Sequence, residues 1–484
     1  MPKKKKLTKK KIPTLQYGVI HSQHGLADGV SIVMGQIEDV MQKYMKVDPK
    51  NIHYLTGKSG KKTRQVHENE LIWHKHTANR YVNTHYQKGL SQKKHEYIEK
   101  QIQKTQKVIE RFIEKHAIDV LIVHNSCHPV NFCYAVALSR YYEQQKAEKK
   151  KTPKYILWWH DSFLERERYK NPHPLIEQYL YEGVPGKHVD YVLFINSLQF
   201  KGAQEYFHSI EQKHPDFFPL IDLNHDVIYN TTDLYIKSFE DLQESKNVDL
   251  VNSFLEQFHV LETLKKDHVS FEKTVFCLQH TRVVQRKRID FALEYCFSFL
   301  YMLKKRKIAQ ALYFLISGNS GDEFDKTRHD LEKLHKQLSK KYGIDTFYLV
   351  FAEDFDKQEI PFEEYPRIFA KLNGFSTYFS EIEGFGNNLL EVMASGLIPV
   401  AYTYPVFLSD IKKYNFKIIA LDHFVIDLDS QLQLLEVLQN QRKRKIWVQK
   451  NLKILEKKLN HRMIKQKLTR AIIRNTEDES LNGK

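Results

Sequence analysis

The sequence predicts an α/β protein built from two facing, Rossmann-like doubly wound domains with a ligand cleft between them. Three observations lead there. Short apolar runs alternate with long helical patterns in two separate series, the signature of parallel sheets with helical crossovers. At 484 residues the chain exceeds what one ordinary core accommodates. The chemically richest stretch follows a strand of the second series, where ligands collect in open α/β sheets.

The elements run as follows. Residues 1–12, MPKKKKLTKKKI, are low-complexity and expected to be a disordered basic tail; no apolar stretch follows them, so they do not read as a secretory signal. Residues 13–233 form the predicted first domain. Its strands are Tyr17 to His21, Ile118 to His124, Tyr155 to Trp159 and Tyr191 to Ile195. Ile98, Ile102, Ile109, Phe112 and Ile113 mark one face of a helix between the first two of these strands. Val227 to Asp233 closes the domain, and a polar stretch over 234–272 reads as a linker region. The second domain, 273–440, has strands at Thr274 to Leu278, Leu312 to Ser317, Phe347 to Phe351, Thr377 to Ser380 and Ile398 to Tyr402. A basic helical segment over 441–484 is the last element.

Composition narrows the class. Hydrophobic content of 42% and aromatic content of 12% mark a globular chain, and no apolar run reaches the ~18 residues of a membrane-spanning helix. Cys127, Cys133, Cys277 and Cys296 have neither CxxC spacing nor histidines at zinc intervals, so they read as buried thiols of a reducing compartment. The net charge is +16, of which seven lysines of the tail supply +7 and the remainder +9. That balance suits nucleic acid, an anionic membrane surface, a phosphorylated substrate or simply a solubilising surface, and charge alone does not choose.

Ser380 to Val400, SEIEGFGNNLLEVMASGLIPV, is the most informative stretch. Gly384 and Gly386 permit a tight turn in which backbone N–H groups approach a ligand closely. A helix starting near Asn387 points its free amides and positive dipole end at that turn, which suits phosphate. Leu389, Leu390, Val392 and Met393 supply its buried face. Glu391 and Glu383 can each accept hydrogen bonds from vicinal hydroxyls, one from a ribose and one from a sugar. Two solvated carboxylates at a helix start is the plainer reading of those glutamates, and the glycines in register argue against it.

This block resembles the donor-site signature of the family-4 retaining glycosyltransferases, which have the GT-B fold: Glu, seven residues, Glu, a Gly-Phe-Gly inside, and a small-Gly-x-Pro-Val strand entry after. The resemblance assigns Gly384, Phe385, Gly386, Asn387, Asn388, Leu389 and Glu391 to donor binding and Glu383 to the reacting sugar. Within Cys277 to Glu294, Arg282 and Lys287 lie five apart after a strand and can neutralise a departing nucleoside diphosphate. The family has an Arg and a Lys there, usually followed by Gly, where this chain has Arg288.

Further stretches resemble the same family. Ser317 to Glu323, SGNSGDE, matches a strand-end loop that supports the fold. Ser22 to Ser31 matches the first-domain loop facing the donor pyrophosphate, in which Gly25 and Gly29 would admit backbone contacts and Asp28 would orient the loop or an acceptor hydroxyl. His160, with Asp161 beside it, follows a strand and would hydrogen-bond the sugar near the reacting carbon; a purely structural histidine is the plainer alternative. His124 and Asn125 would shape the acceptor side. Tyr404 to Ile411 resembles the loop of the subgroup making glucosyl- and mannosyl-glycerate-type glycosides. The family's last helix commonly returns to the first domain, and the resemblance implies the same for 441–484.

Three look-alikes fail. Thr56 to Thr63, TGKSGKKT, imitates a phosphate-binding loop, but Ile52 and Leu55 stand where the first glycine belongs. Asp354-Phe-Asp356 and Asp427-Leu-Asp429 match Asp-x-Asp metal triplets outside the expected strand-rich context. The resemblance thus implies transfer of a hexose from a UDP- or GDP-sugar to a hydroxyl of a glycan, glycolipid or small polar acceptor, with no cofactor, no metal site and no nucleic acid. The chain is expected in the cytoplasm, with weak contact between the lysine tail and the inner membrane face set against a merely solubilising tail. The rival from another class is a non-catalytic, basic polyanion-binding protein on a transferase-like scaffold.

Overall fold

The computed structural model describes residues 15–26, 29–183, 188–213, 224–320, 325–355 and 360–473. The lysine tail and Asp28 lie outside the described residues, as do Gly321 to Glu323 and Asp356. The chain divides into two compact units: one holds the residues up to Tyr229 and those from His461 onward, the other Asn230 to Asn460.

The first unit is built on a parallel sheet of β1 (Tyr17–His24), β2 (Ile52–Ser59), β3 (Val66–Glu68), β4 (Val120–His124), β5 (Lys154–Trp159), β6 (Tyr191–Phe194) and β7 (His225–Val227). Their spatial order is β3-β2-β1-β4-β5-β6-β7, doubly wound with the switch between β1 and β4. One face packs on the helix Gln92–Lys115, whose stripe Ile98, Ile102, Ile109, Phe112 and Ile113 is buried as its spacing predicts. The other face is covered in part by the last helix, His461–Ile473, through Ile464, Leu468, Ala471 and Ile472. That helix is pinned by Lys467 donating to Val227 O and by Arg470 on Asp226 at 3.0 Å.

The second unit has β8 (Thr274–Gln279), β9 (Ala311–Ile316), β10 (Phe347–Phe351), β11 (Phe375–Tyr378), β12 (Ile398–Tyr402) and β13 (Ile419–Leu421), all parallel, in the order β10-β9-β8-β11-β12-β13. Its switch falls between β8 and β11.

Two domain boundaries need correction. Residues 234–272 are not a linker: Ile236, Leu242, Phe254, Phe258, Val260 and Leu264 are buried in the core of the second unit. Their polar neighbours face outward from two short helices, which hid the apolar face. Nor is 441–484 one segment. The helix Gln441–Lys458 belongs to the second unit, fastened by the fully buried Arg444. Its guanidinium donates to Asn373 Oδ1 (2.6 Å), Gly374 O (2.9 Å) and Ala370 O (3.3 Å), and burial pulls its pKa down to about 10.

Strand positions differ in detail. The strand at Thr377 to Ser380 is observed at Phe375–Tyr378, two residues earlier. The strands β2, β3, β7 and β13 carry too few consecutive apolar residues to stand out in the sequence. The four cysteines are buried and free, with Cys277 and Cys296 sulfurs 3.7 Å apart.

Candidate functional site

In the second unit, the loops leaving β8 and β11 meet at the switch point. After β8 the chain passes His280, Thr281 and Arg282, makes one 3₁₀ turn over Gln285–Lys287, and enters the helix Ile289–Lys305. After β11 it runs through Ser380 to Gly386 into the helix Asn387–Ala394.

Lys287 and Glu383 join these loops. The buried Lys287 ammonium donates to Glu383 Oε1, and Arg286 Nη1 lies 3.3 Å from Glu383 Oε2 while donating to Ile382 O at 2.6 Å. Burial pushes the Glu383 carboxyl up, but the Lys287 and Arg286 charges outweigh it and hold the group down at about 2. The carboxylate is therefore ionised throughout the physiological range. Arg282 is exposed and makes no ion pair among the described residues, so its guanidinium is available to an anion.

Arg288 has φ +47, a left-handed conformation that glycine adopts without strain. This accounts for the glycine usual in the resembled family. Here the conformation is held by Arg288 pairing with Glu381 at 2.9 Å and Asp290 at 3.1 Å, its guanidinium 4.4 Å over the Phe424 ring.

Gly386 caps the helix Asn387–Ala394 with φ +106. A Cβ there would fall 2.2 Å from the Tyr404 hydroxyl, which donates to Phe385 O at 2.6 Å. Only glycine fits that approach. The first internal bonds of the helix run from Leu389 and Leu390 N–H to Gly386 O, leaving the Asn387 and Asn388 amides ahead of them at the turn. The Asn387 side chain accepts from Asn230 at 2.7 Å, so its direction is fixed. Leu389, Leu390, Val392 and Met393 are buried as expected, while Glu391 turns to the other face.

Glu391 meets a residue that sequence reasoning did not single out. Its Oε2 lies 3.4 Å from Nε2 of the buried His280, whose Nδ1 is 2.9 Å from Ser317 Oγ and whose ring stacks on Phe362 at 4.1 Å. The available signal was the position of His280 directly after a strand.

In the first unit, β4 and β5 are neighbours, so His124-Asn125 and His160-Asp161 leave the sheet side by side. His124 Nδ1 is 2.9 Å from His160 Nε2, and Asp161 N–H donates to Asn125 Oδ1 at 2.9 Å. Asn125 takes φ +57, a conformation in which asparagine is enriched. Burial, with His21 nearby, pulls His160 down to about 3, and burial lowers His124 as well. Both rings are neutral hydrogen-bonders. The Asp161 carboxylate pairs with Arg166 and lies 4.0 Å from His128 Nε2. Gly29 opens the helix Gly29–Asp39 with open space where a side chain would be, whereas Gly25 has φ +62.

The look-alikes resolve structurally. Asp427 Oδ1 accepts from Ser430 N–H at 2.7 Å as a helix cap. Asp354 is paired with Arg328 at 2.7 Å. Thr56 to Ser59 are the end of β2. Among the described residues no helix is long and apolar enough to cross a membrane.

No family profile matches the chain. It is 27% identical over 423 residues, 84% of this chain and 86% of the relative, to a mannosylglucosylglycerate synthase of Petrotoga mobilis. Among solved structures it resembles a UDP-forming trehalose-phosphate synthase from Burkholderia xenovorans, with TM-score 0.61, 10% identity, and coverage of 95% of this chain and 99% of that one. It also resembles the trehalose-6-phosphate structure from E. coli bound with UDP-2-fluoro glucose, with TM-score 0.58, 11% identity and coverage of 94% and 99%. The fold is GT-B: two Rossmann-like units, each on its own parallel sheet.

Proposed function

We propose that this glycosyltransferase of the GT-B fold moves a hexose from a nucleotide-sugar to a hydroxyl of a small polar acceptor, with retention at the anomeric carbon. The observation that carries the reading is the Lys287–Glu383 pair set beside the Gly386 turn and the start of the Asn387–Ala394 helix. An anion site, a sugar-hydroxyl acceptor and a cation for the leaving group then share one loop cluster.

In this reading the donor diphosphate takes the Asn387 and Asn388 amides, with Arg282 and Lys287 neutralising the charge that grows as the glycosidic C–O bond breaks. Glu391 accepts from the ribose hydroxyls and Glu383 from the sugar. The acceptor hydroxyl attacks the face from which the nucleotide leaves, and the departing phosphate oxygen takes its proton. No side-chain nucleophile is needed. His160, neutral at working pH, would hydrogen-bond a hydroxyl near the reacting carbon. His124, Asn125, Asp161 and Asp28 would serve the acceptor side and Gly29 the pyrophosphate.

The Petrotoga relative's name supports a glucosylglycerate-type acceptor and a mannosyl donor as the first pair to test. The E. coli structure supports a uridine nucleotide among the donors. The cytoplasm is the proposed location, with reversible contact between the lysine tail and anionic lipid.

The test is a thermal-shift panel of UDP-, GDP- and ADP-hexoses, followed by NMR of the product. A ligand at 100 times its Kd stabilises the folded state by about 2.7 kcal/mol, so one donor should stand out. An inverted anomeric centre would overturn retention. A flat panel together with no transfer would favour the polyanion-binding alternative.

A further inference from the structure

We infer that His53, His67 and His116 of the first unit form a structural site for a divalent transition-metal ion, Zn²⁺ by its ligand set. The three come from separate elements: His53 near the start of β2, His67 in β3 where it follows the Leu55 register, and His116 capping the C-terminal end of the Gln92–Lys115 helix. They lie toward the strand starts, away from His124 and His160 at the strand ends.

One ring nitrogen from each lies within 4.8 Å of the others. His53 Nδ1, His67 Nε2 and His116 Nε2 are buried without a hydrogen-bond partner. Three orphaned buried nitrogens at one point are costly unless something takes their lone pairs. Gln16 settles the tautomer of the first. Its Nε2 donates to Asn51 Oδ1 at 3.3 Å, so its Oε1 accepts from His53 Nε2–H at 3.2 Å and leaves the His53 Nδ1 lone pair bare. An outer carbonyl holding a ring N–H is the usual support of a metal-bound imidazole.

The rings of His53 and His116 stack 4.2 Å apart at 26°, and those of His67 and His116 are 4.5 Å apart at 38°. Rotation about the side-chain bonds would turn the three lone pairs onto one ion, with water as a fourth ligand. Three imidazoles select Zn²⁺, Co²⁺, Ni²⁺ or Cu²⁺ over the oxygen-seeking Mg²⁺ and Ca²⁺. Zn²⁺ accepts three imidazoles and a water in tetrahedral geometry.

The full chain, stripped with EDTA and dialysed, is titrated with Zn²⁺ and separately with Co²⁺. One equivalent of Zn²⁺ should raise the melting temperature, and Co²⁺ should give the visible bands of tetrahedral coordination. His67→Ala should abolish both, and Gln16→Leu should weaken Zn²⁺ by roughly 10- to 100-fold. If His67→Ala does not fold, His116→Gln replaces it. An unchanged melting temperature and no Co²⁺ bands in the unaltered chain would overturn the proposal. So would responses equal in size in the unaltered chain and the variant, because the metal would then sit on other histidines.

Discussion

His124 Nδ1 lies 2.9 Å from His160 Nε2, and this hydrogen bond joins the side chains at the ends of two neighbouring strands. It leaves only Nδ1 of His160 for a ligand. His160→Ala should therefore cost about one hydrogen bond to substrate, 0.5–1.5 kcal/mol or up to roughly tenfold in kcat/KM. Loss of melting temperature with unchanged kcat and KM would instead make His160 a purely structural partner of His124.

The same burial predicts a pH response. The folded His160 and His128 titrate at about 3 and about 4, while unfolded imidazole titrates near 6.5. Below 6.5 the unfolded chain takes up protons that the folded rings refuse, so stability falls with falling pH. Each ring contributes about 1.4 kcal/mol per pH unit between its two values. Glu383 adds a second window that extends to lower pH and overlaps the acid end of the histidine one. Its folded value is depressed to about 2, so its contribution is full above an unfolded value near 4.5 and is lost as pH falls toward 2. Urea titrations from pH 7 to 3 should show the histidine slope, and Glu383→Gln should remove only the acid-side part.

Arg282→Ala and Glu391→Ala test the donor site directly. Arg282 is exposed with no ion pair among the described residues, so its removal should change stability by no more than about 0.5 kcal/mol. Transfer should nonetheless drop by about 10²–10³, the usual loss for one group stabilising transition-state charge. Glu391→Ala should raise the KM for donor more than it lowers kcat, since the proposed ribose contacts would bind ground and transition states alike. Near-normal turnover in both purified variants would remove the assignment.

Much of this was readable before the fold was known, and what was hidden has a physical reason. The Ser380 to Val400 loop was legible because turn, helix start and buried face all lie within one local stretch. The neighbouring order of β4 and β5 is a tertiary fact, so the link between His124 and His160 could not be read from residues 36 positions apart. His280 was masked by the cations around it, and its contact with Glu391 depends on β8 and β11 being adjacent. Arg288 looked like a departure from pattern, whereas its φ of +47 shows the glycine conformation retained and held by Glu381 and Asp290. The polar β2 failed as a strand signal because its sequence alternates poorly.

Arg288 therefore offers a backbone test. Arg288→Gly relieves the left-handed strain but loses two ion pairs, so stability should stay within about 1 kcal/mol. Arg288→Val keeps the strain, adds a branched Cβ and loses the same pairs, and it should destabilise by about 1–2 kcal/mol or more. Equal melting temperatures for the two variants would show that the left-handed conformation is not what matters at this position.

If Arg282 and Lys287 supply the cationic charge to the leaving diphosphate, as proposed, transfer should persist in EDTA at temperatures well below unfolding. Strict dependence on Mg²⁺ or Mn²⁺ would contradict that division of labour. The proposed histidine site would bear on melting temperature rather than turnover, so the two responses to chelation are separable in one preparation.

The seven lysines of residues 1–12 give the last prediction, which rests on the sequence alone. Each cation close to an anionic bilayer contributes roughly 1 kcal/mol, screened within a Debye length of about 10 Å at 0.1 M salt. The segment has no apolar anchor, so binding should be reversible and salt-sensitive. Co-sedimentation with anionic vesicles at low salt should therefore be measurable, should vanish at high salt, and should fall on deletion of Met1 to Ile12. Equal pelleting with neutral and anionic vesicles, or pelleting with neither, would assign the tail to solubility. Pelleting that survives the deletion would move the contact to the other basic surfaces, of which the helix Gln441–Lys458 is the richest in lysine and arginine near the C-terminus.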